Sequence, residues 1–390
     1  MKSRIRSFFD NIFYTPSPLP PGTFQTTLEL NGTPYRLHLR IEAEGKGLLI
    51  INASTILHLN PTAAEIAYYL ITKLPIEQIT STLMRRYQVT SEIAVQDVEN
   101  FKIRIESLIQ TPDLDPETFL DMERIERHSD KLVTPVRLDC ALTYQSSEGT
   151  SSLYAPIDRI KRSLDTEEWK EILNKSWNAG IPHVIFTGGE PTLRPDLEEL
   201  IRHSESLGQV TGLITDGLRL TESEYLHQLL YAGLDHMMII LQPDEDQSWE
   251  SIRDVINEDI YLCVHLTING HNKDRISSIL LKLKNIGIRA LSLSAISDEW
   301  ITELSLAARN AAEIGLSLVH ELPVPYSSIN PVSVEMETNE ASKKGAGRTW
   351  LYVEPDGDVL LGQGSEICIG NFLTDPWETI SGNRKLEPSK

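Results

Sequence analysis

The sequence predicts an α/β protein, in which a small winged-helix-like α+β domain precedes a partial (β/α)6 barrel of the TIM type. The first observation is size: 390 residues, 40% of them hydrophobic, suffice for two or three cores. The second is a sixfold alternation of strand-like and helix-like segments between residues 134 and 330, which is typical of a parallel sheet covered by helices. The third is a run of strands followed by a run of helices within residues 23–110.

The N-terminal part divides into a lead, residues 1–22, and the winged-helix-like domain, residues 23–110. The lead ends in Thr-Pro-Ser-Pro-Leu-Pro-Pro-Gly, too many prolines for regular structure. Asn31-Gly32 lies between two alternating runs and predicts a tight hairpin. Asn60 and Pro61 suit a helix start. The predicted strands are residues 23–30, 35–41 and 48–51, and the predicted helices are residues 63–73, 76–87 and 91–108.

Residues 111–133 form a charged, proline-containing linker to the predicted barrel of residues 134–330. A glycine loop of the dinucleotide-binding type is missing, which favours the barrel over a doubly wound sheet. The predicted strands are residues 136–140, 183–187, 210–215, 236–241, 261–267 and 290–294. The predicted helices are residues 166–178, 196–207, 222–232, 246–257, 273–285 and 299–314. Residues 331–390 form an extension with two short strands around a Glu-Pro-Asp-Gly turn.

Charge and composition exclude several classes of partner. The chain has 56 acidic and 36 basic residues, a net charge of −20, which disfavours nucleic acid and anionic membranes. DNA binding by the winged-helix-like domain is a further alternative, but residues 91–108 offer no basic helix face. The chain contains no apolar run long enough to cross a membrane. Three widely spaced cysteines indicate a reducing compartment, and we expect the cytoplasm.

The segment with the strongest chemical signal is Thr187-Gly188-Gly189-Glu190-Pro191, between a predicted strand and a predicted helix. Two glycines allow a ligand to approach the backbone closely. Glu190 or the exposed backbone can accept hydrogen bonds from an ammonium group. The simpler interpretation is an ordinary strand-to-helix loop.

With its context, this segment resembles the S-adenosylmethionine-binding motif of the peptide-modifying radical-SAM enzymes. Ala179-Gly180-Ile181-Pro182 before it and Ile214-Thr215-Asp216-Gly217 after it extend the likeness, although the family often has asparagine in place of Asp216. The resemblance implies a site for S-adenosylmethionine formed by Gly188, Gly189, Glu190, Pro191, Thr215 and Asp216.

The same family carries three cysteines, spaced C-x3-C-x2-C, just after the first strand, where they hold a [4Fe–4S] cluster. With Cys140 at the first position, Tyr144 and Ser147 stand at the second and third. Neither side chain replaces a thiolate, so we expect no [4Fe–4S] cluster. Cys140 is the single candidate metal ligand, and the pattern favours a buried small apolar residue at a strand end instead.

The C-terminal extension resembles the SPASM or twitch segments of that family, on the run from Gly345 to Val359 and on Gly370-Asn371-Phe372. Such segments carry cysteines for auxiliary clusters. Here Lys344, Leu361 and Gly362 stand where cysteine is expected, and Cys368 alone cannot hold a cluster. The loss of thiolates therefore extends to both cluster regions.

The winged-helix-like domain resembles the PqqD-type domain, a recognition element for the leader peptides of ribosomally made, modified peptides. The residues that carry the likeness are in segments 47–52, 57–63 and 97–101. The resemblance implies that a leader peptide adds as an extra strand to the sheet edge and packs on the last helix.

Alternation along the barrel strands predicts a polar interior. The expected inward-facing residues are Thr187, Gln242, Cys263, His265, Ser292 and Ser294. His265 fits either a surviving pocket or a hydrogen-bonded structural histidine, and both remain open.

Two functions follow. The first is a pseudoenzyme of a peptide-modification pathway, binding a leader peptide and S-adenosylmethionine or a catalytic partner protein without radical chemistry. The alternative is an active radical-SAM peptide-modifying enzyme with an atypical iron–sulfur site.

Overall fold

The structure, a computed structural model, divides into two compact units, Met1–Glu126 and Arg127–Lys390. The residues that it describes are 17–42, 44–53, 55–110, 123–124, 132–147, 155–320, 322–327 and 345–384. Residues 1–16 of the lead, most of the linker and Lys344 lie outside them. No helix in the described part of the chain is long and apolar enough to cross a membrane.

The first unit is an antiparallel sheet with three helices. Its elements are β1 (Gly22–Leu30), β2 (Thr33–Ile41), β3 (Gly47–Ile51), β4 (Thr55–Leu59), α1 (Pro61–Ile71), α2 (Ile76–Tyr87), α3 (Ser91–Gln110) and β5 (Glu123–Arg124). The strands pair in the order β1-β2-β3-β4-β5. The hairpin expected at Asn31-Gly32 is present, and both residues have the positive φ angles that such a turn requires.

The strand β4 is absent from the sequence prediction, which passed directly from the third strand to the helices. The turn before β4 contains Asn52 and Ala53, both with positive φ, so no glycine marks it. The cap expected before α1 is present, since the Asn60 side chain accepts a hydrogen bond from the backbone N of Ala63 at 2.9 Å.

The second unit contains a ten-stranded sheet. Its elements are β6 (Arg137–Thr143), α4 (Thr166–Asn178), β7 (His183–Gly188), α5 (Leu197–Leu207), β8 (Val210–Thr215), α6 (Ser223–Tyr231), β9 (His236–Ile240), α7 (Asp246–Val255), β10 (Tyr261–Ile268), α8 (Ile276–Ile286), β11 (Ala290–Ala295), α9 (Ile301–Glu313), β12 (Ser317–Leu318), β13 (Trp350–Val353), β14 (Asp358–Leu360), β15 (Cys368–Asn371) and α10 (Trp377–Arg384).

Strands β6 to β12 are parallel and neighbour one another in chain order, so the predicted α/β class with a parallel sheet is confirmed. Beyond β6, β13 pairs in parallel, and β14 and β15 continue antiparallel. The predicted turn joins β13 to β14, where Gly357 N donates to Glu354 O at 2.9 Å and Gly357 has positive φ.

The two faces of this sheet have different surroundings. Phe186 and the residues of other strands whose side chains point to the same side of the sheet belong to the large apolar cluster with the helices. Ile185 and the residues whose side chains point to the other side of the sheet form a smaller cluster that includes Val324. Residues 322–327 therefore lie against this second face, which carries no helix among the described residues (the helix-free face), and fill part of the space that the sequence predicted as a polar interior.

Candidate functional site

A pocket of about 330 Å³ lies beyond the carboxyl ends of the parallel strands, the usual place for a ligand in α/β proteins. It combines residues that follow β6, β7, β8, β9 and β10 with the end of segment 322–327. The lining residues are Ser146, Ser147, Gly189, Glu190, Asp216, Leu218, Ile240, Gln242, Pro243, Asp244, Glu245, Asn269, His271, Asn272, Pro325, Tyr326 and Ser327.

The two glycines of the motif bring the backbone after β7 into contact with the backbone after β6. Gly189 N donates to Thr143 O, and Glu190 N donates to Gln145 O, both at 2.7 Å. A Cβ on Gly188 would collide with Thr143 O, and one on Gly189 with Gln145 O. These glycines are thus required first for chain packing, whereas the sequence suggested room for a ligand.

The carboxylate of Glu190 is buried at the floor of the pocket and saturated with donors. Its Oε1 accepts from Thr192 N at 2.9 Å, Thr192 Oγ1 at 2.6 Å and Thr215 Oγ1 at 2.8 Å. Its Oε2 accepts from Asp216 N at 2.7 Å. Burial raises the pKa of Glu190, the Asp216 charge raises it further, and these hydrogen bonds oppose the rise. Glu190 therefore joins the loops after β7 and β8.

Asp216, whose backbone N donates to Glu190, contributes a second carboxylate to the pocket. Its Oδ1 accepts from Leu218 N at 3.0 Å, which forms the turn after β8. The residue is half-buried and lines the pocket. No lysine or arginine appears among the described lining residues, although Arg275 pairs with Asp244 of the lining at 2.8 Å. The carboxylates of Asp216 and Glu245 therefore favour a ligand with positive charge.

Pro191 begins a short 3-10 helix, Pro191–Leu193, that leads towards α5. Arg219, after β8, donates to Thr192 O and so fixes this turn. Arg194 donates to Leu142 O at 3.2 Å, a second link to the end of β6. The structure thus brings together Gly188, Gly189, Glu190, Pro191, Thr215 and Asp216, the six residues of the predicted ligand site.

Cys140 lies elsewhere. The strand β6 continues to Thr143, three residues beyond its predicted end, so Cys140 is inside the strand. Its side chain is fully buried in the apolar cluster with the helices, on the face opposite to Asp139. Burial, followed by the charge of Asp139, raises the pKa of the Cys140 thiol well above its usual value.

The loop after β6 begins at Tyr144, and Ser146 and Ser147 are its residues in the pocket. A C-x3-C-x2-C spacing that starts at Ser146 falls on Thr150 and Leu153, which lie outside the described residues. In the described part of the chain, no group of three or more His, Cys, Asp or Glu residues could hold a metal ion.

Below the pocket, the helix-free face is polar at β10 and β11. His265 Nδ1 lies 2.9 Å from Ser292 Oγ, and His265 Nε2 lies 3.0 Å from Ser294 Oγ. Burial lowers the pKa of His265 to about 3. Of the other residues predicted to face inward, Cys263 lies in the apolar cluster with Val324, and Thr187 Oγ1 donates to Pro323 O at 3.1 Å. His265 is therefore a fully buried, hydrogen-bonded residue.

Sequence reasoning missed a buried polar cluster beside the pocket. Tyr144 Oη donates to Glu354 Oε1 at 2.8 Å, and Arg159 pairs with the same carboxylate at 2.6 Å. Tyr326 packs edge-on against Tyr144, with ring centroids 5.3 Å apart. Burial raises the pKa of Glu354, and Arg159 opposes the rise. The partners are about 200 positions apart, so no local pattern announces them.

The first unit has a pocket of its own, of about 270 Å³, between the end of β4 and α3. His58 and Leu59 form one side, and Asp97, Phe101 and Arg104 form the other. This groove lies between α3, the last helix of the unit, and β4, a strand that the sequence did not predict.

Residues 137–297 match the family model described as the Radical SAM superfamily. This matched segment is less than half of the chain, and it contains β6 to β11 and all of the residues that line the pocket except Pro325, Tyr326 and Ser327.

Three curated relatives are each called PqqA peptide cyclase. The protein of Bradyrhizobium diazoefficiens is 43% identical over 23% of this chain, and that of Rhizobium meliloti is 27% identical over 59%. The protein of Methylocella silvestris is 35% identical over 31% of this chain. The matched regions span 23%, 68% and 33% of these relatives, respectively.

Among solved structures, Streptococcus suis SuiB bound to S-adenosylmethionine superposes with a TM-score of 0.54 and 14% identity. The same protein bound to precursor peptide SuiA superposes with a TM-score of 0.54 and 13% identity. Each match covers 87% of this chain and 85% of that chain. At this identity the likeness concerns the fold alone.

Proposed function

We propose that this chain is a pseudoenzyme of a peptide-modification pathway, which binds a leader peptide with its first unit and S-adenosylmethionine with the pocket of its second. The observation that carries the proposal is the composition of that pocket. It retains Gly189 and Glu190 of the Gly-Gly-Glu-Pro loop, but the loop after β6, residues 144–156, contributes Ser146 and Ser147 to it and contains no cysteine.

The residues present do not fit a [4Fe–4S] cluster, which needs three thiolates on one loop. The chain has three cysteines in all. Cys140 points into the apolar cluster with the helices, Cys263 lies on the other face of the sheet, and Cys368 is exposed on β15. No reaction step is therefore assigned to a cluster.

S-adenosylmethionine fits the pocket better, because its sulfonium and ammonium groups are positive and the lining is acidic. When bound, it supplies an activated sulfonium centre. Asp216 would face the sulfonium charge, and Gly189 would line the pocket. Pro191 would begin the turn that follows Glu190, and Glu190 with Thr215 would hold the two loops in register. Glu190 acts by positioning, because its carboxylate already accepts four hydrogen bonds.

For the leader peptide we propose the groove between β4 and α3. An extended peptide can pair with the edge of β4 through its backbone and place side chains against Phe101. Asp97 and Arg104 offer one charge of each sign at the groove, which can fix the peptide's direction. The relatives that are called PqqA peptide cyclases support a peptide partner.

The alternative is an active radical-SAM enzyme with an atypical cluster, which the match to the superfamily model favours. Anaerobic reconstitution with iron and sulfide, followed by iron analysis and calorimetry with S-adenosylmethionine, separates the two. We expect a colourless protein that binds S-adenosylmethionine. A brown protein with about four irons per chain that cleaves S-adenosylmethionine reductively would establish the alternative.

A further inference from the structure

The outer edge of β4 is covered by the chain itself. The two-residue strand β5 pairs antiparallel with β4, so that Leu57 faces Arg124 and His58 faces Glu123. β5 belongs to the same compact unit as β4, although it follows the end of α3 by twelve residues. A piece of the predicted linker is therefore the fifth strand of the sheet.

This is the edge that borders the groove. His58 pairs with β5 and also lines the pocket against α3. Leu59 lines the same pocket. A peptide that packs on α3 and pairs with the sheet must use the backbone groups of β4, and β5 already uses those at Leu57 and His58. The two strands therefore cannot occupy the edge together.

The lengths of the strands decide which one can be displaced. β4 spans five residues, Thr55–Leu59, and β5 pairs with two of them. A short strand protects an open edge from unwanted pairing at the cost of few hydrogen bonds. A longer extended peptide can pair with all five residues and add side-chain contacts in the groove.

We propose that β5 is a resident strand that occupies the peptide-binding edge and must leave before another strand can add. This inference rests on the proposed function, whose peptide site it shares. It identifies the partner class as an extended segment that pairs antiparallel with β4, because that is the geometry of the resident strand.

The test uses the full chain and a fluorescently labelled synthetic peptide of residues 118–129, which contains the β5 sequence. Glu123→Pro with Arg124→Pro removes the backbone donors of β5 and should free the edge. We expect this variant to bind the labelled peptide at least about tenfold more tightly than the unmodified chain. Glu126→Pro with Arg127→Pro is the matched control, because it places the same substitutions three positions later, and it should bind like the unmodified chain.

Equal binding by all three proteins would overturn the proposal, because the edge would already be open. Absence of binding to the Glu123→Pro, Arg124→Pro variant would also overturn it, because the freed edge would not accept a strand. Amide hydrogen exchange over residues 55–59 gives a second readout: the variant should exchange faster, and added peptide should restore protection. Because the probe is the chain's own segment, the result is independent of whether a precursor peptide binds.

Discussion

Introducing the cluster spacing into the loop after β6, from a residue that lines the pocket, should convert this chain into an iron–sulfur protein. The perturbation is Ser146→Cys with Thr150→Cys and Leu153→Cys, which creates C-x3-C-x2-C starting at a residue of the pocket. A second variant, Tyr144→Cys with Ser147→Cys, creates the same spacing starting at Cys140. We expect about four irons per chain in the first variant and none in the second.

The difference follows from the position of Cys140. To ligate iron at the pocket, Cys140 must leave the apolar cluster, and β6 must separate from Phe186 of β7 and Val353 of β13, its partners in the sheet. Exposing buried side chains costs roughly 1–3 kcal/mol each, and each lost ladder bond costs about 1 kcal/mol. The sum, on the order of 5 kcal/mol, approaches the whole stability of an ordinary domain.

The assay is anaerobic reconstitution with iron and sulfide, desalting, and determination of both elements per chain, with visible absorption and EPR after reduction. Ser146→Ala with Thr150→Ala and Leu153→Ala controls for the loop substitutions themselves. Melting temperatures identify any variant that has lost its fold. Equal loading of both cysteine variants, or loading of the Tyr144→Cys, Ser147→Cys variant alone, would refute this account of the loop.

Three further predictions concern the pocket and the core. Asp216→Asn should weaken S-adenosylmethionine about tenfold in calorimetry and leave the binding of S-adenosylhomocysteine unchanged, because that ligand keeps the ammonium group but lacks the sulfonium charge; the exposed Asp259→Asn is the control. A parallel loss of both ligands contradicts the placement of Asp216 against the sulfonium. Cys140→Ser should lower the free energy of unfolding by about 1–3 kcal/mol, and exposed Cys368→Ser by less than about 0.5 kcal/mol; a neutral Cys140→Ser would mean that this thiol is not in the core. The pKa of His265 is about 3 in the folded chain and about 6.5 in the unfolded chain, so between these pH values only the unfolded chain binds the proton. The free energy of unfolding therefore keeps its full value above pH 6.5 and falls by about 1.4 kcal/mol per pH unit as the pH drops towards 3. Between pH 7.0 and 5.5, the free energy of unfolding measured in urea should fall by about 1.4 kcal/mol less for His265→Gln than for the unmodified chain. Equal falls in the two proteins would show that His265 does not titrate in this pH range.

Periodic features of the fold could be predicted from the sequence. The alternation of apolar strands and amphipathic helices predicted the parallel sheet of the second unit, and Asn31-Gly32 predicted the hairpin between β1 and β2 of the first, because both signals are local. Position 140 could not be placed in the same way. The strand β6 reads Arg-Leu-Asp-Cys-Ala-Leu-Thr, and nothing in these letters says where pairing with β7 stops. The observed end of β6 at Thr143 lies three residues beyond the predicted end, so Cys140 lies inside the strand and not at its end.

Long-range contacts account for most of what the sequence did not predict. The segment around Val324 has no regular structure, yet it fills the helix-free face of the sheet. Glu354 meets Tyr144 and Arg159 only because β13 pairs with β6. Such contacts depend on the assembled sheet, which no window of neighbouring residues contains.

The packing of the two glycines determines which variant can test ligand binding at this pocket. Gly189→Ala would displace the carbonyl of Gln145 and with it the loop after β6, so a loss of binding would report the damaged loop as readily as a lost ligand contact. Asp216→Asn keeps the backbone and can retain the hydrogen bond from Leu218 N, and it removes only a charge. If Asp216→Asn loses affinity for S-adenosylmethionine alone, the pocket is a binding site for that ligand. If its affinities do not change in this way, the glycine loop serves only the packing of the chain.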